Sequence, residues 1–174
     1  MQIQKEHYLF SMEKIFSSEA LIRFSDCDPI GHLNNQRYMD YFLNAREDHL
    51  RQYLAFDIYN YAQKEGKVWV MFQNQITYLK PVYYNHIVIL TSRLFNMNEK
   101  SVHVEMQMID KKSGNLNALV WMIAVHIDLR TNKSIPHPAE IQLMMEENLS
   151  PIDQKDYQSR VKFFQNSGNQ ESLK

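Results

Sequence analysis

The densest cluster of chemically capable side chains in the sequence lies in residues 26–35. This segment reads Asp26-Cys27-Asp28-Pro29-Ile30-Gly31-His32-Leu33-Asn34-Asn35. Two carboxylates and an imidazole this close together could transfer a proton, attack a carbonyl carbon or bind a metal ion. The same residue types also form ordinary turns and helix N-termini. Composition alone therefore leaves a turn with a helix cap as an alternative to an active site.

Several other chemistries are disfavoured by the spacing within this segment. A calcium loop counted from Asp26 needs oxygen ligands at its fifth and twelfth positions, where the sequence has Ile30 and Arg37. The two aspartates and the histidine have no second cluster of ligands on a matching element, so we predict no metal ion. Cys27 is a poor nucleophile because the flanking carboxylates raise the pKa of its thiol, and we expect it to pack in the turn.

A strand and a long helix are expected to hold this segment between them. Residues 20–24 have the composition of a short strand that ends in the polar turn. Asn34 and Asn35 are good cap residues, and neither proline nor glycine follows until Gly66, which predicts a helix from these asparagines to about Tyr53. Its apolar side chains fill an arc of about 220°. We therefore expect a core helix that is covered by a curved sheet and by a partner.

Arg46 lies inside this apolar arc, which is unusual for a charged residue. Its aliphatic stem could run along the core while its charge reaches solvent. Alternatively, it could form a buried pair with an acid such as Asp26 and fix the loop on the helix.

Four strands are predicted after Gly66, because the hydrophobic period changes from 3.6 to 2. They cover about residues 68–80, 86–96, 101–110 and 116–130. In the third strand, alternate side chains should face the core, namely Val102, Val104, Met106 and Met108. The side chains between them should face water, namely His103, Glu105 and Gln107. Short turns make the last three strands antiparallel neighbours, and we expect all four to follow one another in the sheet as a meander. The fold class is α+β, with a five-stranded antiparallel sheet around one long helix.

Length and composition fit one globular domain with loose ends. The chain has 174 residues, of which 44% are hydrophobic and 22% are charged. We expect a partly ordered leader at residues 1–18, the domain at 19–138 and an extension at 139–174 with a short helix near 139–147 and a disordered tail.

Charge, cysteine content and apolar runs restrict the partners and the compartment. The net charge of −1 disfavours general nucleic-acid binding. The longest apolar runs are too short to span a bilayer, which predicts no membrane partner. One cysteine and no signal-like start favour a reducing, cytoplasmic setting.

The order of these motifs and elements resembles the hotdog-fold acyl-CoA thioesterases over residues 19–138. One motif, Phe24-x-Asp26-Cys27-Asp28-Pro29-x-Gly31, is similar to the 4-hydroxybenzoyl-CoA thioesterase branch. A second, His32-Leu33-Asn34-Asn35-x-x-Tyr38, is similar to plant acyl-ACP thioesterases. The resemblance implies an enzyme that hydrolyses an acyl-CoA or acyl-carrier-protein thioester without a cofactor. It also implies a homodimer or homotetramer with the active site at the subunit interface.

The resemblance also implies roles for individual residues. Asp28 matches the carboxylate that acts as nucleophile or general base, and Asn35 matches the residue whose backbone N–H polarises the thioester carbonyl. His32 matches the histidine of the plant enzymes, although Ile30 stands where those enzymes have asparagine. We further predict substrate contacts at three residues, namely Gly31, Tyr38 and Lys80.

Two other functions on the same fold remain open from the sequence. One is a non-catalytic acyl-CoA sensor or scaffold that keeps the pocket, although the presence of Asp28 argues against it. The other is hydration or dehydration of an acyl thioester, whose usual pair of histidine and acid is not evident in the sequence. The sequence leaves three questions undecided, namely the acyl chain length, whether Asp28 acts as nucleophile or base, and whether the oligomer is a dimer or a tetramer.

Overall fold

One antiparallel sheet curls around a long helix in the computed structural model, which describes residues 14–166. The strands are β1 (Ile15–Leu21), β2 (Lys67–Tyr78), β3 (Ile87–Met97), β4 (Ser101–Asp110), β5 (Leu116–Asp128) and β6 (Lys133–Ser134). Five of them follow the order β1-β3-β4-β5-β2, and the two-residue β6 pairs with β5. The predicted α+β hotdog fold is confirmed.

Four helices accompany the sheet. They are α1 (Tyr38–Leu54), α2 (Ile58–Glu65), α3 (Ala139–Glu147) and α4 (Tyr157–Asn166). The long helix α1 buries Tyr38, Phe42 and Ala45 in the main core, together with Val104 and Met106 of β4. Within residues 14–166, no helix combines the length and the apolar character that crossing a bilayer requires.

The first strand begins earlier than predicted. It was expected at residues 20–24, but β1 pairs with β3 from Ile15 opposite Arg93 to Leu21 opposite Ile87. The following residues, Phe24–Asp26, form a short 3-10 helix. Three consecutive polar residues, Ser17, Ser18 and Glu19, interrupt the apolar pattern of β1 and hid the strand, which is held by hydrogen bonds from its partner β3. The part of the predicted leader that lies at residues 1–13 is outside the described chain.

The position of β2 in the sheet also differs from the expected sequential order. Rather than lying beside β3, β2 pairs with β5, with Val68 opposite Ile127 and Ile76 opposite Val120. It thereby forms one edge of the sheet, opposite β1. Antiparallel pairing of distant strands depends on which edge is free, and strand periodicity carries no information about that choice.

The outer face of the sheet is covered by α4, which the sequence analysis did not predict. The expected helix near 139–147 is present as α3, but the extension holds this second helix as well. Glu105 and Gln107, which were expected to face water, are 1% and 7% exposed. The expectation was wrong because α4 packs its own apolar side chains on this face. The predicted disordered tail after Asn166 lies outside the described residues.

A buried histidine couples α1 to the sheet. His49 is fully buried, and its Nδ1 and Nε2 atoms lie 2.8 Å from Ser92 Oγ and 3.0 Å from Ser18 Oγ. Burial, with a smaller contribution from the charge of Arg46, lowers the pKa of His49 to about 4. The imidazole is therefore neutral in the folded protein at neutral pH.

This histidine is expected to destabilise the fold as the pH falls from about 6.5 to about 4. The unfolded chain binds a proton at His49 with a pKa of about 6.5, whereas the folded chain resists it. Unfolding then takes up protons, so stability falls with falling pH, by about 3 kcal/mol from this group. Urea unfolding at several pH values measures the effect, and His49→Gln should flatten the slope. An unchanged slope would contradict the assignment.

Candidate active site

The loop between β1 and α1 folds around the side chain of Asp28. Its Oδ1 atom accepts hydrogen bonds from the backbone N–H groups of Ile30 and His32, both at 3.0 Å. The backbone closes in the same way, because Asp28 N–H donates to His32 O at 2.7 Å and Gly31 N–H donates to Asp28 O at 3.0 Å. Within residues 14–166, Oδ2 of Asp28 has no hydrogen-bond partner. One carboxylate oxygen is thus anchored and the other is available.

Neighbouring backbone holds this loop in place. Leu33 N–H donates to Val82 O at 2.8 Å, and both side chains are almost fully buried. Asn34 N–H donates to Asp26 O at 2.9 Å, which joins the two ends of the segment. Asn117 Nδ2 in turn donates to Pro81 O at 3.0 Å. The loop is therefore positioned by the core beneath it as well as by its own turns.

Asn35 lies in a turn that leads into α1 rather than in the helix itself. Asn34 Oδ1 accepts the N–H of Gln36 at 3.0 Å, and α1 begins at Tyr38, later than predicted. This side-chain bond stabilises a turn in competition with the helix. Asn35 O accepts a hydrogen bond from Tyr78 Oη at 3.0 Å. Its N–H donates to no residue within the described chain, so a backbone donor is free at the start of the helix.

Gly31 supplies a backbone conformation that the loop needs. Its φ of +82° lies in the left-handed region, and a Cβ at this position would meet nothing within 4 Å. Glycine is thus required by the backbone angle and not by lack of space. Gly31 O accepts the N–H of Tyr84 at 3.0 Å, which ties the loop to the segment before β3.

The contacts of His32 and Cys27 indicate that both residues hold the loop in shape. The imidazole of His32 packs edge-on against Tyr83 at 4.8 Å, and within the described residues it makes no hydrogen bond to Asp28. Its backbone N–H is what contacts Asp28. Cys27 Sγ donates to Arg23 O at 3.4 Å, and burial, followed by the charges of the two flanking aspartates, raises the pKa of its thiol. The thiol is poorly suited to attack.

The two remaining predicted substrate contacts lie in different environments. Tyr38 is 2% exposed and packs edge-on against Tyr78 at 4.9 Å. Burial, with smaller contributions that include the charge of Asp28, raises the pKa of Tyr38 to about 12, so its phenol stays protonated. Lys80 is exposed, and its Nζ donates to Asn115 Oδ1 at 2.6 Å. Tyr38 is thus beneath the loop and Lys80 is on the surface.

The expected pair of Arg46 with Asp26 is not formed. Asp26 Oδ2 accepts a hydrogen bond from Tyr41 Oη at 2.8 Å, and Arg37 Nε lies 3.9 Å from Asp26 Oδ1. Arg46 instead contacts Ser92 Oγ at 3.4 Å. Of the two arrangements considered for Arg46, the pair with Asp26 is therefore wrong, because Arg46 contacts β3 while Asp26 is held by Tyr41 and Arg37.

The sequence analysis missed α2 and the cavity that α2 closes. Asp57 Oδ1 accepts the N–H of Asn60 at 2.9 Å, and Gly66 follows the last turn with a φ of +63°. These two cap signals could have located the helix. A cavity of about 550 Å³ lies between α2, the C-terminal half of α1 and the inner face of the sheet. The described part of the chain brings together no three His, Cys, Asp or Glu side chains that could hold a metal ion.

Comparison with known proteins places this loop and fold in one family. The profile of the thioesterase-like superfamily matches residues 22–145. The long-chain acyl-CoA thioesterase FadM of Escherichia coli is 25% identical over 130 residues, which cover 75% of this chain and 96% of that protein. The L-carnitine dehydrogenase/betainyl-CoA thioesterase of Rhizobium meliloti is 26% identical over 111 residues. Those residues cover 64% of this chain but only 22% of that longer protein.

Solved structures share the fold. A 1,4-dihydroxy-2-naphthoyl-CoA thioesterase from Synechocystis superposes with a TM-score of 0.70 at 16% identity, covering 75% of this chain and 95% of that one. The probable thioesterase YbaW from Escherichia coli gives a TM-score of 0.66 at 24% identity, covering 77% and 98% of the two chains.

The profile match extends over most of the chain and includes the loop, α1 and every strand of the sheet except β1. It confirms the family predicted from the motifs around Asp28 and, at the level of the family, the predicted class of thioester-hydrolysing enzymes. The chain belongs to the thioesterase-like superfamily.

Proposed function

We propose that this protein hydrolyses an acyl-CoA thioester to a carboxylic acid and coenzyme A, with Asp28 and the backbone N–H of Asn35 as its catalytic groups. One observation carries the proposal. The same short loop holds one oxygen of Asp28 with two backbone N–H groups, leaves the other oxygen unpartnered, and ends at a free N–H before α1. An anchored carboxylate in the same loop as a free backbone donor suits attack on a carbonyl group.

In the general-base route, Asp28 Oδ2 takes a proton from a water molecule. The resulting hydroxide attacks the thioester carbonyl carbon, and the negative charge moves to the carbonyl oxygen, which accepts the N–H of Asn35. The C–S bond then breaks, and the leaving thiolate takes the proton back from Asp28. The products are the free acid and the thiol of coenzyme A.

In the nucleophilic route, Asp28 Oδ2 attacks the carbonyl carbon directly. The thiolate leaves and is protonated by solvent, and water then hydrolyses the mixed anhydride. A single turnover in water labelled with oxygen-18, combined with mass spectrometry of the quenched enzyme, distinguishes the routes. Label in the carboxylate of Asp28, or an acyl group on Asp28, supports the nucleophile. Label only in the released acid, with no acylated Asp28 at any time, supports the base.

The other motif residues are proposed to support this site. His32 positions Asp28 through its backbone N–H, and Gly31 allows the loop to close. Tyr38 supports the loop from the core, and the exposed ammonium of Lys80 is available to the phosphates of coenzyme A. Acyl-CoA as substrate and the free cysteine Cys27 favour a cytoplasmic setting.

A thiol-release assay across aromatic and aliphatic acyl-CoAs tests the function. Release of free thiol from at least one of them supports hydrolysis, and the preferred substrate identifies the acyl class. Tight acyl-CoA binding by calorimetry without thiol release would favour the sensor or scaffold. A change in enoyl absorbance without thiol release would favour hydration or dehydration. Parallel assays with acyl-carrier-protein substrates identify the thiol carrier.

We propose that two copies of the chain pair through β2. This strand is an edge of the described sheet, so one side of its backbone is available for pairing. It also exposes apolar side chains along its length, including Val70 at 44% and Phe72 at 75%. Edge strands usually carry charges or are covered, so a long apolar edge indicates an interface. Pairing of this kind would cover the apolar surface that the sheet leaves open.

Phe72→Asp is expected to weaken this dimer by about a hundredfold, because it places a charge in the buried interface. Light scattering coupled to size-exclusion chromatography measures the mass as a function of concentration. Phe24→Asp is the matched control, since Phe24 is 78% exposed but lies outside β2. Equal dimer stability in the wild type and Phe72→Asp would contradict the interface.

A further inference from the structure

The cavity between α1, α2 and the sheet has a wall that is almost entirely apolar. Its volume of about 550 Å³ is that of a small-molecule site. Aliphatic and aromatic side chains form most of the wall, including Leu50, Trp69, Val104 and Met122. Such a wall favours a hydrocarbon chain as occupant, because filling it removes apolar surface from water.

The wall also holds four charged side chains, namely Lys14, Arg46, Glu47 and Arg51. Arg46 extends from the core helix α1 towards Ser92 of β3. Its only hydrogen bond in the described chain is the 3.4 Å contact with Ser92 Oγ, and no carboxylate of residues 14–166 lies within ion-pair distance. Burial lowers the pKa of its guanidinium to about 10, so it is still charged at neutral pH. The wall also contains Arg51, but that side chain pairs with Glu47 at 2.8 Å and Asp57 at 3.5 Å.

Arg46 is half-buried, so part of its charge is withdrawn from water without a carboxylate to compensate it, which is costly to the fold. We propose that the cavity binds an alkyl chain that ends in a carboxylate, with the carboxylate on the guanidinium of Arg46. The apolar wall takes the chain, and the carboxylate supplies the missing counter-ion through the two-pronged geometry that arginine favours. A chain with a neutral end would leave Arg46 uncompensated. The expected ligand class is therefore anionic amphiphiles rather than plain hydrocarbons.

Two sources can provide this carboxylate. From Tyr38 to Arg46, α1 rises about 12 Å at 1.5 Å per residue, so Arg46 is well away from the N–H of Asn35. The carboxylate at Arg46 is then either that of a free fatty acid or the distal carboxylate of an acyl group whose thioester lies at Asn35. The second source rests on the proposed function, and the first does not.

Calorimetry on the full-length protein with decanoate and with 1-decanol tests the binding. Decanoate should bind at least about tenfold more tightly than decanol, and Arg46→Met should remove this difference by weakening decanoate alone. Methionine keeps an unbranched side chain of similar length and removes a half-buried charge, so the fold should tolerate it. Arg130→Met is the matched control, because Arg130 is exposed and does not line the cavity, and it should leave decanoate binding within about threefold.

Equal affinities for decanoate and decanol, or unchanged decanoate binding in Arg46→Met, would overturn the inference. Decanoate binding that changes in Asp28→Asn but not in Arg46→Met would also overturn it, since the carboxylate would then lie at the loop. Thiol release from decanoyl-CoA and from its ω-carboxyl analogue separates the sources. Faster thiol release from the ω-carboxyl analogue than from decanoyl-CoA, if lost in Arg46→Met, indicates that the carboxylate belongs to an acyl thioester. Decanoate binding without this difference in rate indicates that it belongs to a free fatty acid. Absence of thiol release from every acyl-CoA refutes only the proposed function.

Discussion

Asp28→Asn is expected to lower kcat for thiol release from acyl-CoA by about a thousandfold, because an amide can neither accept the proton nor attack the carbonyl. Asparagine has almost the same shape as aspartate. Its Oδ1 atom can still accept the N–H groups of Ile30 and His32 that anchor Asp28. The variant therefore removes the chemistry of Oδ2 and leaves the loop closed. A coupled assay for free thiol measures the rate.

The control for this variant is the same substitution on an exposed residue of α1. Asp40 pairs with Arg37 at 3.0 Å on the surface, so Asp40→Asn should change the rate by less than about twofold. Both variants should unfold close to the temperature of the wild type. A folded Asp28→Asn protein that keeps more than about a tenth of the wild-type rate would exclude Asp28 as the base or nucleophile.

Arg160→Met is expected to destabilise the protein by about 3–5 kcal/mol, because it leaves a carboxylate buried without its partner. Arg160 on α4 donates from Nε and Nη2 to the two oxygens of Glu105, both at 2.8 Å, and Trp121 Nε1 donates to the same carboxylate at 2.9 Å. Burial alone would raise the pKa of Glu105, but these hydrogen bonds and the charge of Arg160 together lower it. The folded state thus depends on the pair being complete.

Denaturant unfolding measures the loss. Arg37→Met, which removes the exposed pair with Asp40, should cost less than about 1 kcal/mol. Adding Glu105→Gln to Arg160→Met should recover part of the stability, because the buried group is then neutral. If the free energy of unfolding of Arg160→Met is within about 1 kcal/mol of the wild-type value, the Glu105 carboxylate must find another partner or reach water.

The residues of the candidate site could be predicted from the sequence, but their arrangement in space could not. The order of residues between Asp28 and Asn35 identified the carboxylate and the helix start, because turn residues and cap residues act over a few positions. The sequence could not tell which oxygen of Asp28 the backbone would bind, or that Asn35 would lie in a turn before α1. Those details depend on how Tyr78 at the end of β2 and Val82 in the connection to β3 approach the loop.

Hydrophobic period and local motifs were enough to predict the α+β class, the long helix, the final three strands and the family, because these signals act over short distances. What covers each face depends instead on contacts between distant segments. The alternation in β4 correctly assigned Val104 and Met106 to the core, yet Glu105 is buried because α4 packs over it. In the same way, the position of Arg46 on α1 was evident, but its lack of a carboxylate partner was not. Periodicity shows which side chains share a face, whereas contact between distant segments sets the environment of that face.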